Sequence, residues 1–463
     1  MTYRYEGALS AASSVSQAFL SFGVSHAGKE KETILFRAAD DGSLFFGAGS
    51  DFVRRGTAES RDELVHFLLG SLCELTGKPL GPWGELLGMR PTKALYRFLK
   101  EDDWETKARA YLRKKQVSPA MEALLLETVS HQIKSARDDS GKQVSLYTHI
   151  PFCPSRCAYC SFPSAIVPSD GVPEYYVSAL LEDSLAAAAL MREVGLSVTS
   201  RYVGGGTPTV LSPLQMKRVL SSLAAAGGDE TEWTVEAGRP DTITDDKLAV
   251  LKEVGVNRIS VNPQTLQNRI LKTISRSHTR EDIDLAMDRV RRFQFSAVNM
   301  DFICGLPGQR LADAAENAEA ICQWRPENVT IHTLAVKRGS AFFGREHEWN
   351  LPEASEVAEM LALLEERLRD AGYHPYYLYR QKYMTEDFAN VGYALPGHDS
   401  LYNIEIMNEH RHVMGIGAGA VSKYIVDRYH LQKIYFPKNP EVYRARLAAL
   451  LESRRNLFEG EGL

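Results

Sequence analysis

From about residue 144 the chain alternates short β-branched runs with amphipathic stretches, the pattern of βαβ units around a parallel sheet. The strand candidates are Val144–Ile150, Arg201–Val203, Glu232–Val235, Arg258–Val261, Ala297–Ile303 and Val329–Leu334. Apolar residues at helical spacing lie between them, over Pro173–Val194, Pro213–Ala226, Asp245–Val254, Arg280–Phe293 and Ala312–Trp324, and Pro352–Ala371 follows the last strand. Six such units are fewer than the eight of a closed barrel. A doubly wound open sheet fits the alternation equally well, so the motifs must decide.

Residues 1–140 read as a separate N-terminal α+β extension. Thr33–Phe36 and Ser43–Phe46 flank Asp40-Asp41-Gly42, a hairpin signal. Helical periodicity runs over Arg61–Leu75 and Pro119–Ser135, with a turn cluster at Gly81-Pro82-Trp83-Gly84 between them. Residues 141–385 form the repeating α/β region. Residues 386–463 are expected to be mainly helical, with a Gly-rich loop at Gly415-Ile-Gly-Ala-Gly-Ala-Val421 and an amphipathic helix over Pro440–Arg454.

The 463 residues carry 54 Lys+Arg against 59 Asp+Glu, a net charge of −5. That balance argues against a nucleic-acid grip along a basic face. No apolar run approaches the roughly 18 residues of a membrane span. The first residues lack the apolar stretch of a signal peptide, and a cytoplasmic protein is expected.

Three of the six cysteines fall within eight residues, in Cys153-Pro-Ser-Arg-Cys157-Ala-Tyr-Cys160. Tight spacing in a cytosolic chain points to metal or redox chemistry rather than disulfides. A loop just after the first strand, kept out of a helix by Pro151 and Pro154, can wrap three corners of an iron–sulfur cubane. One iron then stays open for a non-protein ligand. A zinc loop completed by a distant residue is the alternative, with His149 nearby.

The spacing Cys153-x3-Cys157-x2-Cys160, with an aromatic before the last Cys, resembles the signature of the radical S-adenosylmethionine enzymes. Tyr147-Thr-His-Ile-Pro-Phe-Cys153 is similar to the oxygen-independent coproporphyrinogen III oxidase group. The resemblance implies a partial (β/α)6 barrel and a [4Fe–4S] cluster on Cys153, Cys157 and Cys160. It also implies an S-adenosylmethionine chelated to the open iron and cleaved to a 5′-deoxyadenosyl radical. A tetrapyrrole substrate and a reducing protein as electron donor follow from the same likeness.

Further motifs stand in the family's order. Gly204-Gly-Gly-Thr-Pro-Thr209 ends the second strand, Glu236 the third and Gln264 the fourth. Asp301 lies in the fifth, ahead of Gly305-Leu-Pro-Gly308, and Arg276 lies in Ser275-Arg-Ser-His278. The resemblance implies that Tyr147, Gly205 and Glu236 contact the cluster-bound cofactor. It implies that Gly206, Thr207, Gln264, Arg276, Asp301, Ala335 and Val421 line a place for a second S-adenosylmethionine. There an Arg and an Asp suit the carboxylate and the ammonium of one amino acid.

Two departures are visible. The oxidase carries a further Cys two residues after the third, where this chain has Phe162. Related haem chaperones also have Phe there, but their C-terminal His-Asn-x-x-Tyr-Trp pattern is replaced by Leu401-Tyr-Asn-Ile-Glu-Ile. The N-terminal extension is the second departure. With Pro82-Trp-Gly-Glu-Leu-Leu-Gly-Met-Arg-Pro-Thr92, Val235-Glu-Ala-Gly-Arg-Pro-Asp241 and Pro375-Tyr-Tyr-Leu-Tyr-Arg-Gln381, it resembles the branch named coproporphyrinogen dehydrogenase. The expected activity is oxidative decarboxylation of coproporphyrinogen III propionates to vinyls, in haem biosynthesis. A haem chaperone of the same fold and a radical methyltransferase acting on haem or another tetrapyrrole are the alternatives. Lys337, Arg338, Arg380 and Lys382 are the candidate cations for a tetracarboxylate substrate.

Overall fold

The computed structural model describes residues 1–22, 24–26, 34–48, 52–137, 141–162, 165–227, 232–381, 388–427 and 430–460. Two compact units emerge: Met1–Ser130 with Leu378–Ala389, and His131–Tyr377 with Asn390–Leu463.

The larger unit is built on six parallel strands that lie side by side in chain order. They are β1 (Gln143–Ile150), β2 (Ser197–Gly205), β3 (Glu232–Glu236), β4 (Arg258–Gln264), β5 (Ala297–Cys304) and β6 (Asn328–Thr333). The intervening helices are α1 (Glu174–Glu193), α2 (Pro213–Ala224), α3 (Asp245–Glu253), α4 (Arg280–Arg292) and α5 (Leu311–Trp324), with α6 (Ala354–Asp370) after β6. The sequential order is that of the partial (β/α)6 barrel rather than of a doubly wound sheet, whose order reverses at a switch point. Local chemistry sets the helix starts. Ser212 caps α2 in a capping box with Gln215, ahead of Pro213 at the first turn. Thr279 and Asp282 do the same for α4.

β2 runs longer than the sequence pattern suggests, because it buries residues on both of its faces and lacks a clean alternation. β4 shifts register against β5 between Val261 and Gln264, and Gln264 takes a left-handed φ of 70°. That irregularity re-aims the side chain at the strand's C-terminal end.

The C-terminal region differs from the mainly helical expectation. Asn390–Ala394 pairs antiparallel with β6, and His412–Ile416 pairs parallel with β1 on the opposite side. Val421–Ile425 and Leu431–Tyr435 extend that edge. These strands are only five residues each, too short to declare a period. Helices return at Pro440–Ala445 and Leu447–Glu459, so the single expected helix is broken at Arg446.

In the smaller unit, Ile34–Ala38 and Ser43–Ala48 form the expected hairpin, with Phe36 opposite Phe46. Thr33 lies outside the described residues. Thr2–Glu6 pairs parallel with Ile34–Ala38, and Phe52–Thr57 completes the far edge. Helices Leu9–Ser21 and Arg61–Thr76 close the core around Phe19, Phe36, Phe46 and Leu68. Trp83 and Arg380, from two of the motifs singled out above, meet in this unit. The Arg380 guanidinium stands 5.0 Å over the Trp83 ring and donates to Leu86 O at 3.0 Å. Among the described residues of either unit, no helix is long and apolar enough to cross a membrane.

Candidate active site at the C-terminal ends of the barrel strands

The loop after β1 carries Cys153, Cys157 and Cys160, all partly exposed and none in a disulfide. Phe152–Cys153 pairs with Ala165–Ile166. Ala158 N–H donates to Ile274 O at 3.0 Å, and Ala341 N–H donates to Ala158 O at 2.8 Å. The loop is thus tied to the segment after β4 and to the segment after β6. Thr207 Oγ1 lies 3.6 Å from Cys153 Sγ, and Arg239 Nη1 lies 3.9 Å from Cys157 Sγ. A hydroxyl and a guanidinium aimed at sulfur suit thiolates. Three soft donors on one loop fit a [4Fe–4S] cluster with one open iron. Cys304 is buried within β5 and Cys322 is exposed on α5, so neither offers a fourth ligand from this loop.

The glycine turn after β2 is shaped first by the protein itself. Gly206 N–H donates to Ile150 O and Thr207 N–H to Phe152 O, at 2.8 and 2.7 Å. A Cβ on Gly206 would stand 2.3 Å from Phe152 O, and one on Gly205 would stand 2.7 Å from the His149 ring. Gly205 also has a φ of +113°, open to glycine alone. His149 is buried between Gly205 and Gly419, and burial pushes its pKa down to about 4. It is neutral and packs between the two glycines.

Tyr202 Oη donates to Glu236 Oε1 at 2.6 Å. Burial pushes the Glu236 pKa up to about 7, although the Tyr202 hydroxyl and the Gly205 N–H favour its charged form. Tyr202 stacks on Tyr402 with ring centroids 4.4 Å apart, and Tyr147 stands 6.3 Å from Tyr202. Tyr147, Gly205 and Glu236 therefore share one patch of the barrel interior. Asp301 acts electrostatically on both Glu236 and Tyr202, so the two carboxylates face the same space. Against the effect of burial, the hydrogen bond and charge of His332, with further hydrogen bonds from Asn299 Nδ2 at 2.9 Å and Thr330, keep Asp301 below the usual carboxylate range.

Gln264 is buried, and its Oε1 has no hydrogen-bond partner in the protein. An orphaned buried carbonyl at a barrel rim is where a ligand donor fits. Arg276 is used in part by the protein, while its buried Nε, like the Gln264 oxygen, has no protein partner. Its Nη1 donates to Gly238 O at 3.1 Å and Asn262 O at 2.8 Å, while Nη2 donates to Tyr159 Oη at 2.8 Å. Tyr159 lies between Cys157 and Cys160, so Arg276 braces the cysteine loop. Ala335 follows β6, and Val421 opens its strand with its backbone against Gly415.

Sequence reasoning passed over Arg239 and Tyr202. Arg239 is buried, pairs with Asp241 at 3.1 Å and donates to Ser155 and Ser277 besides facing Cys157. It lies in the Val235–Asp241 motif, and its burial beside a cysteine sulfur is visible only in the fold. Tyr202 carried no signal of its own. Among the four candidate substrate cations, Lys337 is half-buried near Cys160 and burial pushes its pKa down, while Arg338 is exposed beside it. Arg380 is not available: it is buried in the other unit under Trp83 and backbone carbonyls. Lys382 lies outside the described residues.

Known proteins resemble this chain in sequence and in fold. The sequence profile of the Radical SAM superfamily matches residues 147–321. The oxygen-independent coproporphyrinogen-III oxidase-like protein HemZ of Bacillus subtilis is 38% identical over 386 residues, 81% of this chain and 77% of that protein. The heme chaperone HemW of the same organism is 31% identical over 284 residues, 60% and 70% of the two chains. In fold, the chain is similar to the coproporphyrinogen III oxidase HemN of Escherichia coli. The TM-score is 0.55 at 22% identity, over 67% of this chain and 71% of that one.

Proposed function

The chain belongs to the radical S-adenosylmethionine superfamily, in its oxygen-independent coproporphyrinogen-III oxidase-like group, and from that premise we propose that it oxidatively decarboxylates propionate side chains of coproporphyrinogen III. The observation that carries this reading is the likeness to HemZ, which extends over 81% of the chain, against 60% for HemW. Cys153, Cys157 and Cys160 would hold the cluster, which with S-adenosylmethionine would supply the radical chemistry for removing a propionate β-hydrogen; formation of the vinyl would then release CO2 and pass one electron to an external one-electron acceptor.

The protein's own residues bind and orient. Cys153, Cys157 and Cys160 hold the cluster, with Thr207 and Arg239 stabilising charge on two of the sulfurs. Tyr147, the Gly205 backbone and the Glu236 carboxylate receive the aminoacyl end of the cofactor, the carboxylate pairing with its ammonium. Gln264 and Asp301, with Gly206, Thr207, Ala335 and Val421 around them, line room for a second S-adenosylmethionine; Arg276 shapes that room from behind. Lys337 offers a cation to a propionate carboxylate near the cluster. A reducing protein delivers the electron.

Phe162 favours a second reading. It is 62% exposed two residues past Cys160, and an apolar ring there suits a flat tetrapyrrole held without chemistry, as in a haem chaperone. Anaerobic turnover with reductant and coproporphyrinogen III tests both. Vinyl porphyrin together with 5′-deoxyadenosine supports the decarboxylase. Neither product, with stoichiometric haem binding, supports the chaperone. 5′-Deoxyadenosine or S-adenosylhomocysteine with a methylated tetrapyrrole rejects both.

A further inference from the structure

His131, His374 and Asp399 meet at the end of the barrel opposite the cysteine loop. The loop that bears Asp399 is held there by residues at the N-terminal starts of three strands. Glu232 of β3 accepts from Ser400 Oγ and from Leu401 and Tyr402 N–H, at 2.8–2.9 Å. Arg258 of β4 and Asn328 of β6 both donate to His398 O at 2.9 Å. His374 opens the strand His374–Tyr379, and His131 lies on the helix Pro119–Arg137. Gln132, beside His131, donates to Tyr376 O at 2.7 Å and accepts from Asn408 Nδ2 at 3.0 Å. All three backbones are thus positioned by hydrogen bonds that make no use of the three side chains.

The side chains then converge. His374 Nε2 lies 2.7 Å from Asp399 Oδ1, and His131 Nδ1 lies 3.9 Å from Asp399 Oδ2. The two imidazoles stack with centroids 3.8 Å apart and planes 14° from parallel. One potential donor atom from each residue falls within 4.8 Å of the other two. Donors around a tetrahedral zinc ion stand about 3.3 Å apart, given bond lengths of about 2.0–2.2 Å, so the three donor atoms are already near that spacing, and binding turns the two rings out of their stack to aim both in-plane lone pairs at one ion. A single carboxylate pairs well with one protonated imidazole. A second protonated ring stacked on the first would be repelled by it, whereas a divalent ion uses both neutral rings and the carboxylate together.

We propose that His131, His374 and Asp399 bind a divalent transition-metal ion, with zinc as its chemical type, at the N-terminal end of the barrel. The donor set is two imidazoles and one carboxylate, and water fills the remaining position because the three side chains are 15–34% exposed. The ion fastens the helix segment at His131 to the first residue of the strand at His374 and to the loop at Asp399. It takes no part in the cluster chemistry, and the inference stands apart from the proposed reaction.

The test uses the full chain with its cluster reconstituted, so that the three cysteines are occupied by iron. The protein is equilibrated anaerobically with zinc ions and dialysed, and metals are counted by mass spectrometry. The expected result is one zinc per chain besides the iron, lost in His374→Ala and in Asp399→Asn while their iron content is kept. Zinc should also raise the melting temperature of the wild type and leave both variants unmoved, as for a ligand bound only by the folded state. Wild type that keeps no zinc, or variants that keep as much as wild type, overturns the assignment.

Discussion

Tyr202 lies within β2 and Glu236 ends the neighbouring β3, and the tyrosine hydroxyl donates to the carboxylate at 2.6 Å inside the barrel. The pair sets the charge of the one carboxylate that shares a patch with Tyr147 and the glycine turn. Burial works against ionisation and carries the Glu236 pKa to about 7, so its charge changes near neutrality.

A pH dependence follows from that value. Between about pH 4.5 and 7 the cofactor-free folded chain keeps a proton that the unfolded chain has released. Unfolding therefore releases a proton across this window, and the Glu236 contribution to stability falls as pH rises through it. Thermal melts of Glu236→Gln should lose that slope. Cofactor affinity should run the other way: it should fall as pH drops below about 7, approaching tenfold per unit, because the ammonium then meets a neutral acid. Calorimetry with S-adenosylmethionine at several pH values checks this, and Tyr202→Phe should move the midpoint upward.

Arg276 and Gln264 should separate on substitution. Arg276 has donors on Gly238 O, Asn262 O and the Tyr159 hydroxyl. Arg276→Ala should loosen the cysteine loop and lower the iron retained after reconstitution. Gln264→Ala should keep its iron, since the Gln264 carbonyl has no protein partner to lose. Equal iron in the two variants would remove the bracing role.

Gly206→Ala should cost the cluster rather than the cofactor alone. The new Cβ would stand 2.3 Å from Phe152 O, a backbone atom one residue before Cys153. Backbone cannot rotate away as a side chain can, so the cysteine loop must shift. Iron content and the cluster's visible absorbance after reconstitution measure the effect.

The buried pair of Arg454 and Asp183 should carry much of the attachment of the last helix. Arg454 Nη1 lies 2.6 Å from Asp183 Oδ1, with both side chains almost fully buried. Tyr443 Oη and Gly417 N–H also donate to Asp183 Oδ2, at 2.5 and 2.8 Å. Arg454→Met leaves an unpaired buried carboxylate and should destabilise the protein by about 3–5 kcal/mol. Adding Asp183→Asn should recover part of that loss, read from denaturant melts of the single and double variants.

The sequence by itself determined the six strand–helix units, since amphipathic helices and β-branched strands announce themselves by local period. It also determined the three-cysteine loop, because ligands that share one loop are set by spacing along the chain. Capping at Ser212 and Thr279 is equally local and equally legible. The tertiary structure alone decided what depends on pairing across distance. The strands His412–Ile416 and Asn390–Ala394 are short, and their sheet positions come from β1 and β6 rather than from any period of their own. Arg276 and Arg380 read as free cations in the sequence, yet each has found carbonyl oxygens far along the chain. Tyr202 gains its role only because β2 lies beside β3, and His131 meets His374 across 243 positions only because the intervening chain folds back to bring the helix and the strand together. Sequence records which groups a chain carries; which of them remain available to a ligand depends on the partners that folding supplies.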